Sequence, residues 1–171
     1  MLKHCQKYLF NMKTKYNYCI IVLMISFLSG CQTSENKPSI KGESDKFWLE
    51  EMTITELQQG YKDGKYSVSE VVSAYLSRIE KIDKSGPSLN SIIVINPDAL
   101  QIAEELDREK AEGKIKGSLF GVPVVLKDNI DTHDKMPTTA GSRALAESIA
   151  LQDAFIVKKL RDAGAIILGK A

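Results

Sequence analysis

Lys127 is the residue with the most chemistry to offer in this chain. It closes the apolar run of "FGVPVVLKDNID", residues 120–131, and stands directly before Asp128. A lysine acts as a base only when neutral, and burial lowers its pKa by disfavouring the ammonium form. The end of an apolar strand, at the carboxyl edge of an α/β sheet where sites commonly form, offers such a dry setting. By spacing alone, a solvated lysine at a strand end is the plainer reading.

Three other groupings raise the same question. His133 lies between Asp131 and Asp134, but a metal centre needs several ligands and no second histidine or cysteine stands nearby, so it reads as part of a solvated loop. Glu104, Glu105, Asp107 and Glu112 include enough carboxylates for a glycosidase-type pair, yet they read most simply as the wet face of a helix. "GAIILGKA", residues 164–171, has the glycine-to-lysine spacing of a phosphate-binding loop, with alanine where a magnesium-binding hydroxyl belongs. Its middle residues read as a buried strand, whereas such a loop must be an open turn leading into a helix. Neither a metal nor a cofactor is expected.

The elements that must position these groups follow from periodicity and caps. "TITE", 53–56, and "SVSE", 67–70, both fit the capping box, in which hydroxyl and carboxylate satisfy orphan amides reciprocally. Val68, Val72, Tyr75, Ile79 and Ile82 then recur at steps of three and four, on one helical face. "SIIVI", 91–95, is rich in β-branched residues and predicts a strand. Asn96 is expected to cap a helix with Pro97 at its first position, Gly113 as its stop, and Leu100, Ala103 and Leu106 facing inward. Val122–Leu126 predicts a second buried strand and Ala165–Leu168 a third. Between them, 153–163 predicts a helix with Val157 and Leu160 toward the core and Gly164 at its end. Strand, helical crossover, strand implies a parallel pair and the α/β class.

The chain has 171 residues, of which 43% are hydrophobic, enough for one packed core. Its first 30 residues hold Lys3, Lys7, Lys13 and Lys15 and no acidic residue, so the remainder is slightly acidic. Phosphate binding needs a clustered basic face, so nucleic acid is not an expected partner. The lysine-bearing start, the apolar run 18–30 and the following cysteine read as a targeting segment, too short for a membrane-spanning helix. "LSGC", 28–31, resembles the lipobox of bacterial lipoproteins, which implies that Cys31 is lipidated and becomes the mature N-terminus. An ordinary secretory signal is the plainer alternative, and Met12 is a possible internal start. With Cys5 and Cys19 removed, Cys31 is the last thiol and no internal disulfide can form. Residues 1–30 are thus read as signal, 31–50 as a polar tether, and 51–171 as the folded portion, in an extracytoplasmic, membrane-anchored protein.

"GSLFGVPVVLKDNID", "MPTTAGSRAL" and "DAFIVKKLRDAGAIILGKA", in this order and spacing, resemble the amidase signature family of serine hydrolases; the likeness runs from about Met52 to Ala171. It implies an α/β fold made here of N-terminal helices and the first strands of a mixed or parallel sheet, truncated, with unpaired edges. It also implies a triad in which a serine nucleophile is activated by a second, cis-peptide serine and a neutral lysine, acting on small amides. Lys127 matches that lysine within the block Gly121, Pro123, Lys127, Asp128. Asn129, Thr138, Thr139, Gly141 and Ser142 are expected to support the site rather than react. Both family serines lie downstream of the "GK" that here is Gly169–Lys170, so the chain is expected to need a missing C-terminal part and to be inactive alone. The competing reading is a noncatalytic lipoprotein, either a binding module or a remnant.

Overall fold

The structure, a computed structural model, describes residues 46–171, which pack as one unit, Lys46–Ala171. Residues 1–45, including "LSGC" and most of the expected tether, lie outside the described residues. Packing reaches back ahead of residue 51: Leu49 is buried, and the Phe47 ring meets Tyr75 edge-on at 5.2 Å.

Helix α1 spans Ile54–Lys62 and helix α2 spans Val68–Arg78. Both start with complete capping boxes, Thr53 with Glu56 and Ser67 with Glu70, as the spacing predicts. The second helix does not stop cleanly but runs on as a π-helical turn, Ile79–Ser85. Strand β1 is confined to Val94–Ile95, shorter than the predicted run 91–95. Helix α3 spans Ala99–Ala111, strand β2 Pro123–Leu126, helix α4 Phe155–Asp162 and strand β3 Ile166–Lys170. One 3-10 turn, Arg143–Leu145, interrupts the long connection from β2 to α4.

The start of α3 corrects the sequence reading. Asn96 does not cap the helix: Asp98 occupies that position and makes no side-chain capping bond. Instead Asn96 is buried, donates from Nδ2 to Ile167 O at 2.8 Å, and accepts from Asp98 N at 3.0 Å. A buried carbonyl on the central strand outweighs a helix end that water can satisfy. Ala103 faces the core and Leu106 packs against it, but Leu100 is exposed.

The sheet is mixed, in the order β1-β3-β2. β3 is central, antiparallel to β1 and parallel to β2, with α4 forming the crossover between the parallel pair. The two sides of β3 serve separate cores. Ile166 and Leu168 join Leu57, Tyr61, Val68, Val72 and Ala103 from α1, α2 and α3. Ile167 joins Leu126, Met136 and Val157, so α4 covers the opposite face. This is the α/β class expected.

A bulge interrupts the parallel ladder. Val124 pairs with Ile167 but Val125 pairs with Gly169, leaving Leu168 as the extra residue on β3. One inserted residue reverses the side-chain alternation beyond it. Lys170, opposite Leu126, is thereby carried to the α4 side of the sheet. Gly169 allows the close approach of β1, since a Cβ there would lie 2.6 Å from Val94 O.

Candidate functional site

β2 delivers Lys127 and Asp128 to the carboxyl edge of the sheet. Its extended course continues past Leu126: Ala171 N donates to Leu126 O and Asp128 N donates to Ala171 O, each at 2.8 Å. Alternation therefore sends Leu126 and Asp128 inward and Val125 and Lys127 to the other side. Burial follows this pattern, with Leu126 and Asp128 buried, Val125 40% exposed and Lys127 exposed. The dry setting expected for Lys127 is thus not formed by residues 46–171: its ammonium makes no hydrogen bond or ion pair among the described residues.

Two residues of the same block have clear structural reasons. Gly121 has φ +72°, and a Cβ there would fall 2.9 Å from both Tyr61 Cε2 and Val68 Cγ2. Its carbonyl accepts from the buried Tyr61 hydroxyl at 2.9 Å, and burial pushes that phenol's pKa upward. Pro123 opens a strand that has one partner among the described residues, where a missing amide costs no ladder bond.

Asp128 organises the loop opposite. Thr139 Oγ1 donates to Asp128 Oδ2 and accepts from Gly141 N at 3.1 Å, while Ala140 N donates to Asp128 O at 3.4 Å. These bonds hold Ala140 at φ +47°, a left-handed conformation that costs an alanine about 1–2 kcal/mol. Asp128 Oδ1 is buried and has no partner among the described residues. Thr138 N is tied to Ser148 O at 2.8 Å. Asn129, Gly141 and Ser142 are exposed, and the Ser142 hydroxyl bonds to nothing among the described residues.

The buried lysine of the site is Lys170, to which sequence reasoning assigns no role, either in the phosphate-loop spacing or as the end of the Gly169–Lys170 pair. Lys170 is 0% exposed and donates to Thr138 Oγ1 at 2.8 Å and to Pro137 O at 3.1 Å. Burial lowers its pKa, opposed by the carboxylates of Asp134, Asp128 and Asp131. No sequence signal marks it, because the bulge that turns it inward arises from pairing with β2. A second network missed in sequence secures the same loop from α4: Arg161 donates to Asp134 Oδ2 at 2.7 Å and to Asp153 Oδ2 at 3.0 Å. Asp153 Oδ1 also accepts from His133 N at 2.7 Å, so the polar stretch around His133 is anchored through its backbone.

The structure brings Asp128, Thr138, Thr139 and Gly141 together with Lys170, and leaves the Lys127 and Ser142 side chains outside that network. Chemically, the edge presents an exposed amine on one side and a buried carboxylate on the other, with one acceptor unused among the described residues. No serine, threonine or cysteine hydrogen-bonds Lys127 among the described residues.

Similarity to known proteins accords with this arrangement. The family described as Amidase matches residues 70–171. A Schizosaccharomyces pombe protein carrying an amidase name is 47% identical over 123 residues, covering 72% of this chain and 21% of the relative. A glutamyl-tRNA(Gln) amidotransferase polypeptide of Alkaliphilus metalliredigens is 42% identical over 123 residues, covering 71% and 24%. Among solved structures, the native peptide amidase of Stenotrophomonas maltophilia superposes with a TM-score of 0.70 at 44% identity, covering 72% of this chain and 25% of that one. The chain spans about a quarter or less of the length of these relatives. With the family matched from the second helix through the central strand, this chain belongs to the amidase family.

Proposed function

We propose that the protein carrying these residues hydrolyses small carboxamides, with Lys127 as the terminal base of a Ser-cisSer-Lys triad. The observation that carries this reading is the strand end itself. The block Gly121, Pro123, Lys127, Asp128 ends β2 at the sheet's carboxyl edge, with Asp128 anchored inward and Lys127 free to meet a partner. The family's named amidases support the reaction class.

In the proposed reaction, a serine hydroxyl supplied from outside residues 46–171 attacks the amide carbonyl carbon, and its proton passes through the second serine to the Lys127 amine. The C–N bond then breaks as the departing nitrogen takes up a proton. Water hydrolyses the resulting acyl ester, releasing the carboxylate and restoring the serine. The remainder of the domain must also cover Lys127, because residues 46–171 leave it exposed and the proposed role needs a dry site. Residues 1–171 alone are therefore proposed to be inactive. We further propose that Cys31 carries a lipid anchor and that the enzyme works on the outer side of a bacterial membrane.

The test is ammonia release from aliphatic and aromatic carboxamides by the product of the whole reading frame. Lys127→Ala should lower kcat about 10⁴-fold or more, because triad members act as a unit. Ser142→Ala should be milder. Turnover in Lys127→Ala within tenfold of wild type, or turnover abolished in Ser142→Ala alone, would overturn the assignment.

A further inference from the structure

Lys170 is an expensive residue to bury: an ammonium removed from water loses hydration that two neutral acceptors only partly replace. An apolar side chain would fill the same space opposite Leu126 without that cost. What the ammonium supplies is a pair of directed bonds to successive residues, Pro137 and Thr138, immediately before the segment that grips Asp128.

We propose that Lys170 is a positioning residue for this site, clamping the segment 137–142 across the carboxyl end of the sheet so that Thr139 fixes the Asp128 carboxylate on the inner face of the strand end that carries Lys127 outward. The chain of contacts is continuous. Lys170 holds Pro137 O and Thr138 Oγ1; Thr139 binds Asp128 Oδ2; Ala140 N returns to Asp128 O; and Gly141 N closes onto Thr139 Oγ1. The strained left-handed Ala140 persists only while this set over-determines it. Asp128 Oδ1, buried and unmatched among the described residues, is the independent sign that the clamp presents something. With no donor among the described residues, that oxygen is the acceptor the clamp leaves for a group outside them.

As a contribution to catalysis this rests on the amidase reading, so the test has two readouts on the whole reading-frame product. Lys170→Met removes the charge at similar volume, and Thr138→Val removes one acceptor while leaving Lys170 in place. Hydrogen exchange at Ala140 and Gly141 should accelerate at least about tenfold in Lys170→Met, with Ile166 and Leu168 on β3 still protected. The same variant should lose about 10²-fold in kcat with KM within about twofold, the signature of misplacement rather than lost binding. Thr138→Val should fall between wild type and Lys170→Met in both readouts. Unchanged exchange at Ala140 and Gly141 in a Lys170→Met whose β3 stays protected would overturn the clamp. If Lys170→Met loses protection throughout β3, Thr138→Val takes its place; unchanged exchange at Ala140 and Gly141 there, or loss throughout β3 again, overturns it. A wild type without turnover sinks the amidase reading but leaves the exchange result to judge the clamp. A kcat unchanged in a folded Lys170→Met, beside an active wild type, removes its role in catalysis.

Discussion

Asp107→Ala separates the sequence reading of the α3 carboxylates from what the fold does with them. On sequence Asp107 belongs to a wet helical face, where substitutions stay within about 0.5 kcal/mol. In the structure its two oxygens accept from Val68 N at 2.8 Å and Ser69 N at 2.9 Å, across 39 and 38 residues of sequence. These are the first amides of α2, which the helix cannot satisfy internally, and the Ser67–Glu70 box serves a different pair. Val68 is fully buried, so its amide finds no water when the carboxylate goes, whereas Ser69 is half-buried and can recover one. One lost charge-assisted bond with a stranded amide, plus a partly recovered second and the lost dipole interaction, sums to about 2–3 kcal/mol. Asn in place of Asp keeps one acceptor and should cost about half of that. Urea unfolding followed by far-UV circular dichroism measures these differences, with Glu104→Ala as the exposed control. If Asp107→Ala and Glu104→Ala lose the same small amount, the inter-helix cap contributes nothing and the reasoning fails.

Other outcomes follow from single contacts. The Asp83 carboxylate accepts from the Ser91 hydroxyl first, then from the amides of Ser91 and Ile92, beside Lys84, and these hold its pKa down to about 2. A depressed folded-state pKa means stability that is present above the unfolded value and lost as pH falls toward 2, so Asp83→Asn should flatten the unfolding midpoint between about pH 4 and 2. Gly121→Ala must accept φ +72° and displace Tyr61 or Val68, and should cost about 3 kcal/mol by calorimetry or denaturation. Labelled palmitate should enter the wild-type protein and be absent from Cys31→Ser; equal labelling of both would rule out the proposed anchor.

Local chemistry was legible in the chain itself. Both capping boxes formed because hydroxyl and carboxylate lie three residues apart and need nothing distant. Helix α4 ends just short of Gly164, Val157 turns inward, and the apolar run before Lys170 is the buried central strand, all features set by short-range periodicity. The α/β class and the parallel β2–β3 pair followed from element order. What pairing decides could not be read this way. The register between β2 and β3 skips Leu168, and that skip turns Lys170 inward although no residue near it in sequence signals the change. Asn96 leaves a helix cap to satisfy a carbonyl 71 residues away, and Asp107 leaves a solvated face to cap a helix 39 residues earlier. Lys127 is exposed, as its spacing alone suggests, because alternation along β2 points it to a face that the described residues do not cover. The buried Asn96 and Lys170 side chains, and the buried Val68 amide that Asp107 caps, each found a partner across the fold, and the free energy of leaving such a group unsatisfied exceeds the local preference that sequence expresses.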